Sequence, residues 1–127
     1  MGQTDEAETY YLNSLELQEK LAEETKIIEA RNILAATYNN LGAFNKDAGR
    51  PLPAWDYHQK ALELTKELAV ETGSIQSREN LAGSYNNLGN FSRESGKFEQ
   101  SEEYYARSLE IIVVYVCWSH RISQRIL

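Results

Sequence analysis

The pentapeptide Tyr38-Asn39-Asn40-Leu41-Gly42 recurs unchanged as Tyr85-Asn86-Asn87-Leu88-Gly89, inside LAATYNNLGAFNKDAG (34–49) and LAGSYNNLGNFSRESG (81–96). Sliding the chain along itself by about 47 residues, a period in the range of helical arrays, lays one word on the other. The same offset pairs Leu21 with Leu68, Thr25 with Thr72, Arg31 with Arg78 and Gly49 with Gly96. A second element recurs three times. Tyr10, Leu15 and Glu16 fall on Tyr57, Leu62 and Glu63, and again on Tyr104, Leu109 and Glu110. A catalytic motif has no reason to copy its flanks in this way, whereas a structural unit does.

Apolar spacing says what the unit is made of. Leu34, Tyr38, Leu41 and Phe44 recur at steps of three and four, as do Leu81, Tyr85, Leu88 and Phe91, which is the stripe of a helix that buries one face. Gly49 and Gly96 stand where a left-handed helix end is wanted, and Pro51 and Pro53 fall in the first turn of the following helix, where a missing N–H costs little. Ala54, Tyr57, Ala61, Leu62, Leu64 and Leu68 carry a second stripe up to Gly73. The expected elements are five helices, at about 5–25, 28–48, 52–72, 75–95 and 98–118. Short connections make neighbours antiparallel, so the fold class is all-α, an antiparallel helix-pair solenoid. The second and fourth helices are termed A-type here and the other three B-type.

The expected organisation is one domain over 1–127: a half repeat at 5–27, repeats at 28–74 and 75–118, and an anomalous apolar tail at 111–127. The chain's 127 residues suit one ordinary core. A net charge of -6 and a pI near 5.0 speak against a nucleic-acid or anionic-membrane partner. The single cysteine, Cys117, and the acidic opening MGQTDEAE point to a reducing, cytoplasmic setting.

These residues resemble the tetratricopeptide repeats. Tyr85, Leu88, Gly89, Gly96, Phe98, Ser101, Tyr105 and Ser108 fill that family's pattern of aromatic, Leu-Gly, turn glycine, aromatic, small, aromatic and small. Tyr38, Leu41, Gly42, Gly49, Pro51, Ala54, His58 and Ala61 fill it one unit earlier, with Pro51 in place of an aromatic. The doubled asparagine and the endings ALEL and SLEI are most similar to the longer repeats of kinesin light chain type. The resemblance implies a non-catalytic module for protein–protein interaction, with a peptide or partner helix held in a concave groove lined by the A-type helices.

On that reading the groove residues are Asn39, Asn40, Ala43 and Lys46, and their counterparts Asn86, Asn87, Asn90 and Arg93. An asparagine amide both donates and accepts, so it grips a peptide backbone whatever its sequence. Lys46 and Arg93 place positive charge where a carboxylate-bearing ligand would be favoured. The alternatives stay open beside this: Asn40 and Asn87 lock one helix to the next, and Lys46 and Arg93 merely complement helix C-termini. Catalysis is not expected. His58, His120 and Cys117 lack nucleophile or metal-ligand spacing, and no phosphate-binding glycine loop is present, so no cofactor or metal is assigned.

The tail IIVVYVCWSHRISQRIL departs from the repeat after Ile111. Its apolar run is too short for a membrane span. Its β-branched residues favour strand, yet a helix already begun at Phe98 extends more readily than a new element starts, so helix is expected. Val113, Tyr115, Val116 and Trp118 are then expected to mediate self-association. A self-associating scaffold, or a fragment of a longer array, is the second reading of function.

Overall fold

The computed structural model describes residues 2–126, with side chains described for all but 2–4 and, in the last helix, 115–116, 118–119, 122–123 and 125–126. The described chain is five α-helices: α1 (Gly2–Thr25), α2 (Ile28–Asp47), α3 (Pro51–Thr72), α4 (Ile75–Glu94) and α5 (Phe98–Ile126). No strand occurs among the described residues. The expected boundaries hold within a few residues except at the last, where α5 runs on to Ile126. The run of β-branched residues from Ile111 therefore yields to the helix already under way.

Each break between helices is read directly from its backbone. Gly49, Gly73 and Gly96 have φ of 75°, 61° and 78°, the left-handed region that glycine enters without a Cβ clash. After α2, the N–H of Gly49 bonds the carbonyl of Lys46 and that of Arg50 bonds Asn45; after α4, Gly96 bonds Arg93 and Lys97 bonds Ser92. Both are Schellman closures, which satisfy carbonyls that the helix end leaves open. At the repeat counterpart of Gly73 stands Lys26, forced to φ 55°. The units also differ at the helix start. Ser74 caps α4 by accepting the Ser77 N–H at 3.1 Å, while the matching Ile27 has no side-chain cap for α2.

Contacts gather the chain into two compact units, Met1–Leu64 and Thr65–Leu127, with the division inside α3. In the first, Leu15 and Ala22 of α1, Ala30, Leu34, Tyr38 and Leu41 of α2 and Ala61 of α3 form one core, with Tyr57 and Leu64 packed on it. The helices α1 and α2 run antiparallel, since Gln18 meets Thr37 while Tyr11 meets Phe44. Arg50, in the turn after α2, grips Glu8 with two hydrogen bonds at 2.7 and 3.3 Å and lies over the Phe44 ring.

In the second unit α4 and α5 are likewise antiparallel. Ser101 donates to the Gly89 carbonyl and Ser108 to the Ala82 carbonyl, both at 2.9 Å and both buried. Their counterparts in α3, Ala54 and Ala61, are wholly buried without a hydroxyl. The position thus demands smallness first and tolerates a hydroxyl that finds a backbone acceptor. Thr65 of α3 bonds Ser84 of α4 at 3.1 Å.

Leu88 is completely buried. Leu88→Ala should lower unfolding free energy by about 2–5 kcal/mol, the usual range for a cavity left in a core. Gly96→Ala should cost about 1 kcal/mol through left-handed strain, whereas Lys26→Gly should not destabilise, because relief of strain offsets the added unfolded-chain freedom. Urea titrations of the three variants check both statements.

Candidate functional site

In the YNNLG word both tyrosines, both glycines and Asn39 each meet a residue of the following helix nineteen or sixteen positions on. Tyr38 stacks with Tyr57 at 6.3 Å between ring centroids, and Tyr85 lies against Tyr104 at the same 6.3 Å. Lys60 stands over the Tyr38 ring and Lys66 over that of Tyr85, so each pair also carries a cation–π contact. Leu41 and Leu88 are core. The glycines are the closest contact of all: a Cβ on Gly42 would sit 2.6 Å from His58 Nε2, and one on Gly89 would sit 2.7 Å from Tyr105 Cε1. Glycine is required because a ring of the B-type helix rests on the A-type backbone.

Those rings also engage the asparagines, differently in the two units. Nδ1 of His58 lies 3.0 Å from Oδ1 of Asn39 and so carries the proton that it donates. The Tyr105 hydroxyl donates to Oδ1 of Asn90, one helical turn beyond the counterpart of Asn39. In both asparagines the oxygen is taken and the NH2 group is left to point elsewhere. Asn86, the counterpart of Asn39, is exposed and has no side-chain hydrogen bond among the described residues. Asn40 is exposed and Asn87 half-buried, likewise without side-chain hydrogen bonds among the described residues. Ala43 and Arg93 are exposed and Lys46 is half-buried.

Thus α2 carries Asn39, Ala43 and Lys46 at steps of four and three, and α4 carries Asn86, Asn90 and Arg93 at the same steps, each set on one helical face. The three exposed α4 residues form an open polar strip. On α2 the strip is partly drawn into the fold through Asn39. Sequence reasoning passed over His58 and Tyr105 as partners of the asparagines. The signal was their common register, since the two lie at equivalent positions under Gly42 and Gly89.

A further feature of the first unit was not anticipated. A cleft of about 270 Å³ opens between α1 and α2, lined by Tyr10, Tyr11, Ser14, Gln18, Thr37, Asn40 and Leu41. Gln18 accepts a hydrogen bond from Thr37 at 2.5 Å along its wall.

Two titrating groups belong to this framework. Burial holds the Tyr38 phenol up at about 12, with the Glu19 carboxylate, which it also meets in a hydrogen bond, adding to the effect. Burial, helped by the charge on Lys46, holds His58 below its ordinary 6.5. No group of three or more His, Cys, Asp or Glu residues able to hold a metal occurs among the described residues, and no helix among them is long and apolar enough to cross a membrane. Of the expected self-association residues, Val113 is exposed, while the side chains of Tyr115, Val116 and Trp118 lie outside the described residues.

Antiparallel A-type and B-type helices, repeated with glycine-on-ring contacts at matching positions, define the class of helix-pair repeat proteins. The tetratricopeptide repeat profile matches residues 34–71 and 81–113, two segments in the same register, and the chain belongs to that family. Searches of curated proteins and of solved structures each returned no match. Repeats of this family are generally modules for protein–protein interaction and typically act as non-enzymatic scaffolds.

Gly89→Ala should lower stability by about 1–3 kcal/mol, because the added methyl must displace the Tyr105 ring. His58 supplies a pH dependence with a defined sign. Its folded pKa is depressed, so below 6.5 the unfolded chain takes up a proton that the folded chain resists. Stability present above that pH should fall as the pH drops towards the folded pKa. His58→Tyr, which copies Tyr105, should flatten this part of the curve in melts between about pH 5 and 7.

Proposed function

We propose that the chain is a non-catalytic interaction module that binds a peptide or partner helix through the polar strips of its A-type helices, α2 and α4. The observation that carries the reading is the open strip Asn86, Asn90 and Arg93 on α4. The Tyr105 hydroxyl occupies the Asn90 oxygen, which leaves the amide's NH2 group as the part available to a ligand. His58 does the same to Asn39 in the first unit. The strips are therefore rich in donors, and Lys46 and Arg93 add positive charge to a protein whose net charge is -6. Peptide carbonyls and side-chain carboxylates are the matching groups.

Panning a peptide display library on the full chain tests this. Selected peptides should be richer in Asp and Glu than the library and bind with micromolar affinity. Asn86→Ala with Arg93→Ala should weaken them at least tenfold, about 1.4 kcal/mol, without lowering the melting temperature. Asn39→Ala should instead cost about 1 kcal/mol of stability, since it strands the His58 donor. Unchanged peptide affinity in the Asn86 and Arg93 variant would remove the strip from the site.

A further inference from the structure

The cleft between α1 and α2 is explained by the internal repeat. Advancing its lining by one period carries Tyr11, Ser14, Gln18 and Thr37 onto His58, Ala61, Thr65 and Ser84. All four of the latter are buried, whereas Tyr11 is 40% exposed and the other three are half-buried. Leu21 shows the same contrast at the far end of α1: it is 53% exposed, and its counterpart Leu68 is 1% exposed. On α3, the His58 end of this face is closed by Gly42 of an A-type helix. The face of α1 is thus built to receive one more helix of A-type, and among the described residues of the first unit α2 is the only helix of that type.

The other end of the chain offers a helix in need of a surface. Ser108 of α5 meets Ala82 of α4, and from there α4 has seven residues left to Ile75 while α5 has eighteen left to Ile126. The surplus of eleven residues corresponds to about 16 Å of helix without α4 beside it. Its sequence keeps a helical apolar spacing through Ile111, Tyr115, Trp118, Ile122 and Ile126.

Charge points the same way. From Gly2 to Thr25 the helix α1 has seven acidic residues and a single lysine. From Ile111 onward the tail has Arg121 and Arg125 and no acidic residue. His120 and Arg121 are exposed. Opposite charge of this kind steers association and fixes orientation, and its effect weakens with salt.

We infer that the C-terminal part of α5 from a second copy of the chain docks as an A-type helix in the cleft between α1 and α2. The occupant is a second copy because this chain itself carries an overhanging helix of apolar spacing whose basic tail is opposite in charge to α1. The association is heterologous, cleft to tail, so the two surfaces can be disabled separately. It uses neither strip assigned to peptide binding and stands or falls independently of that function.

Sedimentation velocity on full-length chains tests it. Ser14→Trp fills the cleft, and Tyr10→Arg, at a position 70% exposed, turns its rim positive without touching the core. Arg121→Glu with Arg125→Glu reverses the tail. The parent should self-associate, more weakly as salt is raised from about 0.1 to about 1 M. Each variant alone should associate at least tenfold more weakly, with helical circular dichroism unchanged. A tail-reversed chain mixed with the parent should still be bound through its intact cleft, giving a complex that the reversed chain does not form alone. A parent that stays monomeric at about millimolar concentration would overturn the inference. So would a Tyr10→Arg chain that associates as tightly as the parent, which would indicate tail-to-tail pairing, or the absence of the mixed complex.

Discussion

The contact on which the rest depends is the one between a backbone and a ring. Gly42 and Gly89 carry no Cβ, and His58 and Tyr105 occupy the space that one would fill. This contact sets how closely an A-type helix meets the B-type helix that follows, and the buried leucines beside each glycine then close the core. The small residues Ala54, Ala61, Ser101 and Ser108 serve the same approach from the B-type side, and in the second unit two hydroxyls reach carbonyls of α4. A larger residue at any of these places would hold the helices apart and open the leucine layer to water.

The rings that enforce the packing also decide which asparagines are tied to the fold. A histidine reaches Asn39 and a tyrosine, being longer, reaches one turn further to Asn90. Identical pentapeptides therefore meet different environments. Asn39 is tied to the fold while Asn86 stays open, so the second unit presents the fuller polar strip. The two side chains responsible lie outside the word itself, and burial holds the His58 imidazole below its ordinary pKa.

The two ends of the chain differ from the middle in complementary ways. At one, α1 shows half-exposed residues at positions that are buried elsewhere, in an acidic helix. At the other, α5 outruns its neighbour with apolar and basic residues.

Much of the fold was legible in the sequence: the stripes, the turn glycines and the offset of the repeated words specify five helices and their antiparallel order. Those features are local, arising from helical periodicity and from the left-handed backbone that glycine alone adopts readily. Lys26 in a glycine's place and the uncapped Ile27 were equally visible in principle, by comparing the two registers. The tertiary structure alone decided which ring meets which asparagine, because that depends on side-chain reach between helices rather than on spacing along one. It alone revealed the cleft as well, since Tyr11, Ser14 and Gln18 read as ordinary repeat positions until their exposure is set against that of His58, Ala61 and Thr65. Burial is a property of neighbours, and in this chain the neighbours of equivalent residues are not equivalent.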